Sequence, residues 1–277
     1  MRFGYIPKNR PDKNRLWNIT YRLIHLLFGF PSYLRRLQAP VLFKFLDVHK
    51  CDTIVDLACG KGHLAYEIAK KGPVTMALDI DLSAKETIPD KLPNFSFVRS
   101  DARYLPFPSE SVDKIIMSSF LQMLEDDELV LGECHRVLKE NGILVLSVPG
   151  DYLYVPKLYR PNWICRKLRS SLNLPEKYMA FLSDLNNLFG VKGKGYYSLS
   201  ELKDLITKQG FVVDKYEYCP RMIGSFIYEF LLSIYYASER KKILYAGMFL
   251  FYPLGLIDKL LPRNNKGCEI ILKARKT

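Results

Sequence analysis

An α/β fold, built on a mostly parallel seven-stranded sheet flanked by helices, is predicted by three observations. From residue 53 onward short apolar runs alternate with helical patterns. Stop signals such as Gly72, Lys139-Glu140-Asn141-Gly142 and Pro149-Gly150 separate them. The chain has 277 residues, 48% of them hydrophobic, which suits one large domain with insertions and is tight for two.

The elements follow in order. TIVDLA, from Thr53, is the first strand, and HLAYEIAKKG is a helix closed by Gly72. VTMALDI is the second strand, residues Ser83 to Pro89 a helix, and FSFVRSD the third strand. After the loop ARYLPFPSESVD come the strand KIIMSS, a helix expected from Asp126 to Glu140, and the buried strand ILVLSVPG. Residues 151–197 break the rhythm with tyrosines, Trp163, prolines and basic residues, and read as a cap insertion. Ser198 and Glu201 form a capping-box pattern before the helix ELKDLITKQ, and FVVDKYEY and CEIILKA supply strands six and seven. Residues 220–266 are an apolar helical insertion before the last strand. Residues 1–39 are assigned to a basic amphipathic N-terminal helical segment and residues 40–277 to the main domain.

The formal charge is +12, from 41 Lys+Arg against 29 Asp+Glu, and it concentrates before residue 51, where Arg15, Arg22, Arg35 and Arg36 lie among aromatic and aliphatic residues. Such a segment suits an anionic surface, either acidic lipid or nucleic acid. The six cysteines show no metal-ligand spacing, so no metal site is expected. Cys134 and His135 are adjacent, and neighbours on a helix diverge by about 100°. The polar, basic start has no signal-peptide character, and the uncharged run Ile243 to Ile257 falls short of the roughly 20 residues of a membrane span. A cytoplasmic protein is expected, peripheral at the inner membrane face if the basic segment meets lipid.

The chemistry concentrates at strand ends. Asp56-Leu57-Ala58-Cys59-Gly60-Lys61-Gly62 leads into a helix, so Gly60 and Gly62 allow a tight turn and the helix N-terminus offers N–H groups to an anion. On its own this loop fits a dinucleotide fingerprint equally well. Asp79 closes the second strand, where a carboxylate can accept both ribose hydroxyls, and Asp101 follows the third, where it can accept from an adenine amine. Ser118 ends the fourth strand. This series resembles the class I S-adenosylmethionine-dependent methyltransferases, especially the small-molecule and lipid group that includes the ubiquinone and menaquinone C-methyltransferases. The resemblance covers residues 40 to 150 and extends to 198 to 218.

It implies a Rossmann-like methyltransferase fold with S-adenosyl-L-methionine as cofactor. Asp56, Ala58, Gly60 and Gly62 would lie at its methionine end, Asp79 at the ribose, Asp101 and Ala102 at the adenine, and Ser118 beside them. Ala58 stands where the family commonly has glycine. Where many relatives read leucine, an acid and histidine, this chain has Leu121-Gln122-Met123, which removes both titratable groups and leaves no catalytic base assigned. His63 reads as an ordinary first-turn residue rather than that base. Tyr152 and Tyr154, after the fifth strand, are the candidate acceptor wall.

The expected acceptor is a small molecule, hydrophobic or lipid-linked, because apolar flanks suit no phosphate backbone. An RNA methyltransferase and a non-catalytic cofactor-binding subunit are the alternatives. Ser118-Ser119-Phe120 lacks the Pro-Pro-aromatic pattern of amino-methylating enzymes. The apolar insertion has three competing burials: the protein's own core, a second copy in a homodimer, and a lipid surface.

Overall fold

The computed structural model describes residues 33–81, 92–150, 196–228, 253–260 and 267–277, together with residues 15, 16, 19, 20, 23, 231, 250 and 251. The helix expected at Ser83 to Pro89, Tyr152, Tyr154 and the cap up to residue 195 lie outside the described residues.

Seven strands form one sheet: β1 (Thr53–Leu57), β2 (Val74–Asp79), β3 (Phe95–Arg99), β4 (Val112–Ser118), β5 (Leu138–Pro149), β6 (Phe211–Tyr218) and β7 (Glu269–Lys276). Their order is β3-β2-β1-β4-β5-β7-β6. All pairs from β3 to β5 are parallel, and β7 runs antiparallel to both β5 and β6. Strand order reverses direction between β1 and β4, the place where open α/β sheets part to hold a ligand.

Side-chain alternation divides the core in two. On one face Val55, Leu57, Ile115, Met117, Leu144 and Leu146 pack against α3 (Asp127–Val137) and α4 (Leu199–Lys208) through Val130, Leu131, Leu202 and Ile206. On the other, Ile54, Ile116, Val145 and Ile271 meet α1 (Tyr33–Leu46) and α2 (His63–Ala69) through Leu42, Phe43, Leu46, Leu64 and Ile68. The boundary drawn at residues 39 and 40 falls inside α1, and residues on both sides of it, from Leu37 to Leu46, join this core. Arg36 is buried rather than displayed on a basic surface.

The helix expected to reach Glu140 ends at Val137, and Leu138 is already paired with Val112. The next paired residue is Ile143 opposite Lys114, so Lys139 to Gly142 form an excursion within β5, with Asn141 at φ 60°. Cys134 is buried in the core, and His135 sets its ring edge-on to Phe211. Tyr197, at the end of the expected cap, is core as well: it bridges Gly150, and its hydroxyl donates to Asp127 Oδ2 at 2.7 Å. The described parts of the apolar insertion divide. Ile227 and Leu231 join the α1 core, whereas Phe226, Leu250, Leu254 and Leu260 are exposed.

Candidate active site

The loop after β1 is shaped by backbone conformation first. Ala58, Gly60 and Gly62 all take left-handed φ values, 56°, 53° and 69°. Gly62 is the N-cap residue of α2 and offers no side chain to its open N–H groups. Asp56 supplies what is missing: its Oδ2 accepts from Ala65 N at 3.0 Å. Asp56 is thus buried beneath the loop, and burial pushes its carboxyl up to about 7, against the pull of the Arg35 guanidinium and the Ala65 N–H.

Asp79 fixes the top of the same loop. Its Oδ2 accepts from Gly60 N at 2.7 Å and its Oδ1 from Asp81 N at 3.0 Å, which draws the ends of β1 and β2 together. A carboxylate has about four acceptor positions, so Asp79 keeps capacity for hydroxyls of a ligand. Cys59 lies between Asp56 and Asp79, and burial with those two carboxylates pushes its thiol far above its usual range, which removes it as a nucleophile.

Beside this loop a cleft of about 300 Å³ opens along the C-terminal edge of the sheet. Its lining brings together Ala58, Asp79, Asp101 and Ala102 from the predicted set, with Leu57, Leu78, Phe120 and Met123 as apolar walls. Arg103 closes one side. It reaches Asp101 Oδ2 at 2.7 Å, and its hydrogen bonds hold the Asp101 carboxyl below the usual carboxylate range, so that group is an ionised acceptor at neutral pH. Gly60 and Gly62 lie in the adjoining loop rather than in the lining. A side chain at Gly60 would meet nothing within 4 Å, so there is free space over the turn.

Ser118 is placed differently from Asp79 and Asp101. Its hydroxyl is buried on the α1 face and shares a hydrogen bond of 2.9 Å with Ser147 Oγ. Ser119, at φ 54°, turns the chain so that Phe120 enters the cleft wall. His63 is the first residue of α2, as expected for a first-turn residue. Gln122 is buried with no partner for its Oε1. Sequence reasoning missed Arg35, Gln38 and Glu269. Gln38 Nε2 donates to Glu269 Oε2 at 2.8 Å, and Ser119 Oγ lies 3.4 Å from the same oxygen. The available signal was a lone acid opening the otherwise apolar strand CEIIL.

The residues present fit S-adenosylmethionine. Open space lies over a two-glycine turn at a helix N-terminus, carboxylates stand at the ends of β2 and β3, and an apolar slot between Leu57, Leu78 and Phe120 can take a flat base. Among the described residues no cluster of His, Cys, Asp and Glu could hold a metal ion.

Comparison with known proteins agrees. Residues 55–146 match the family model described as a methyltransferase domain. A probable S-adenosylmethionine-dependent methyltransferase of Mycobacterium tuberculosis is 28% identical over 103 residues, 37% of this chain and 38% of that protein. Demethylmenaquinone methyltransferase of Thermotoga maritima is 34% identical over 113 residues, 39% of this chain and 49% of that protein. The chain thus spans less than half the length of these relatives. An S-adenosylmethionine-dependent methyltransferase structure from Mesorhizobium loti shares the fold, with a TM-score of 0.52 at 18% identity, covering 87% of this chain and 98% of that one. Residues 55–146 thus match a methyltransferase domain, and the chain shares its fold with S-adenosylmethionine-dependent methyltransferases.

Proposed function

We propose that this protein transfers a methyl group from S-adenosylmethionine to a small hydrophobic or lipid-linked acceptor. The observation that carries the reading is the cleft at the β1–β4 switch point, where Asp79 both holds the Gly60 turn and faces the ligand space. The cofactor supplies a methyl group already activated by the sulfonium charge. Leu57, Leu78 and Phe120 would clasp the adenine, Asp101 and Ala102 its edge, and Asp79 the ribose. The protein's own contribution is position, because holding donor and acceptor in line replaces a bimolecular encounter. No titratable side chain stands at Leu121-Gln122-Met123, so this mechanism takes no base from that turn.

The hydrophobic acceptor is supported by exposed apolar side chains outside the sheet. Leu16, Ile19 and Leu23 are helical, spaced to share one face, and 73%, 47% and 50% exposed; Leu250, Leu254 and Leu260 are exposed near the C-terminal end of the insertion. With basic residues nearby in sequence, such side chains suit the surface of an anionic membrane. Among the described residues no helix is long and apolar enough to cross one.

Calorimetric titration with S-adenosylmethionine tests the cofactor assignment. Asp79→Ala removes the anchor of Gly60 and the ribose acceptor together, and binding is expected to weaken by at least about tenfold. Unchanged affinity would overturn the ribose assignment. Methyl-labelled cofactor, incubated with the protein and host extracts, identifies the acceptor class: label is expected in the lipid fraction. Label in RNA would establish the nucleic-acid alternative, and label in no fraction a non-catalytic binding subunit. Flotation with anionic vesicles checks the surface, with binding expected to disappear when residues 1–32, which precede α1, are removed.

A further inference from the structure

Two segments of the apolar insertion are built inside out. Residues 222–228 form a helix just after β6, and residues 253–256 are helical and run into the 3-10 turn Ile257–Leu260. Among the described side chains of residues 221–228 and 250–260, every exposed one is apolar, and Leu250 and Leu260 are 67% and 84% exposed. Arg221, Ser225 and Asp258 are buried instead. A helix on a water-facing surface shows its polar residues outward. Here Ile223, Ile227 and Leu256 pack toward the α1 core, and Met222, Phe226, Leu254 and Ile257 are apolar on the outside as well.

The buried polar groups lock the two segments into one surface. Asp258 Oδ1 accepts from Ile223 N at 2.9 Å and its Oδ2 from Gly224 N at 2.8 Å, which satisfies the open N–H groups at the start of the helix. Arg221 Nη1 donates to the Asp258 carbonyl at 2.9 Å. A Cβ at Gly224 would lie 2.6 Å from Asp258 Oδ2, so glycine permits the close approach. Met222 and Ile257 therefore flank the same bond. Ser225 Oγ accepts from Cys268 N at 2.8 Å, which fastens the helix to the start of β7. Tyr218 pairs with Ile270 and Pro149 with Glu269, so the end of β6 and the start of β7 lie at the C-terminal edge of the sheet. The exposed apolar surface thus stands at the edge along which the cleft opens.

Charge identifies what covers it. From residue 240 to residue 266 the chain carries Arg240, Lys241, Lys242, Lys259, Arg263 and Lys266, and the single acid in that stretch, Asp258, is buried. Two copies pressed together on this face would bring like charges together. Apolar side chains flanked by cations suit an anionic lipid surface. We propose that this surface seats on an anionic bilayer, its leucines, Met222 and Phe226 entering the acyl boundary while the flanking Lys and Arg meet phosphate headgroups. The proposal rests on the lipid-directed reading above and deepens it. The N-terminal segment supplies one attachment, and this surface supplies a second that turns the cleft edge toward the membrane.

Flotation of the full chain tests it. Wild-type protein is expected to partition onto vesicles of equimolar phosphatidylcholine and phosphatidylglycerol at least about tenfold better than onto phosphatidylcholine alone. The double substitution Leu254→Asn with Leu260→Asn should lower partitioning onto the anionic vesicles at least about tenfold, and Met222→Gln, on the other segment, about threefold. Calorimetry with S-adenosylhomocysteine certifies each variant, with affinity expected within about twofold of wild type, and Met222→Gln decides the question if the double variant fails to fold. Folded variants that partition as well as wild type overturn the proposal, as does a wild type that binds both vesicles equally. It is overturned too if light scattering shows a wild-type dimer that the double variant splits while vesicle binding is unchanged, because the face is then a contact between copies. Cofactor label in the lipid fraction, with vesicle binding unchanged in the variants, would keep the acceptor reading and lose this surface. Label in RNA, with partitioning lost in the variants, would do the reverse.

Discussion

Ala58 shows what one residue can hold under strain. At φ 56° its Cβ is pressed toward the backbone, a conformation that glycine adopts freely and that costs an L-residue about 1 kcal/mol. From the sequence, alanine in place of the family's usual glycine looks like a mild exchange; the structure gives it a definite cost at the mouth of the cleft. Ala58→Gly is therefore expected to stabilise the protein by up to about 1 kcal/mol in urea denaturation, less the entropy that glycine adds to the unfolded chain. Ala58→Val, β-branched at the same φ, should destabilise it by more than that. An Ala58→Gly variant that lost stability would show that the methyl group packs usefully. Asp79 and Asp101 were legible in the sequence because each ends a strand that its own apolar pattern reveals. Arg35, Gln38 and Glu269 were not, because 231 residues separate Gln38 from its partner and only tertiary packing brings them into contact.

Elements were legible where period and punctuation agree. All seven strands lie where the sequence patterns predict them; β1, β4 and β7 are buried on both faces and so read as continuous apolar runs, whereas β3 and β6 are half-exposed. The error at the end of α3 has a physical cause. Lys139-Glu140 reads as helix surface, yet Leu138 is needed opposite Val112 and Asn141 takes the left-handed turn, so pairing overrides helix propensity. Gly142 completes that excursion, because a Cβ there would lie 2.7 Å from Lys139 O. The start of α4 is the opposite case, where local signal and structure coincide. Ser198 Oγ accepts from Glu201 N at 3.2 Å, and Ser198 N donates to Glu201 Oε2 at 2.9 Å. Ser198→Ala removes one half of that reciprocal cap and should cost about 1 kcal/mol, read as a lower urea midpoint with an unchanged slope. A variant with the wild-type midpoint would mean that solvent caps α4 equally well.

At the scale of the whole molecule, the buried carboxylates Asp56 and Glu269 make stability depend on pH in an uncommon direction. Carboxylates that form good ion pairs are held low and protect a fold against acid. Here burial pushes both Asp56 and Glu269 up to about 7, with Arg35 only partly opposing it. The groups facing them are Arg35 and Gln38 from α1, Ser119 at the end of β4, the Ala65 N–H of α2, and Asp79 from β2. Between about pH 4 and pH 7 the folded chain then holds more protons than the unfolded one, so these two groups lower the unfolding free energy as pH rises through that window. Their full cost is present above it. The ligand-free protein is expected to melt at a higher temperature near pH 6 than near pH 8. Glu269→Gln, which keeps the shape and the neutral hydrogen bonds, should flatten that difference and stabilise the protein at about pH 8 by on the order of 1 kcal/mol. Thermal unfolding of both proteins across the window measures this directly. Parallel curves would show that Glu269 is already fully compensated in the folded state.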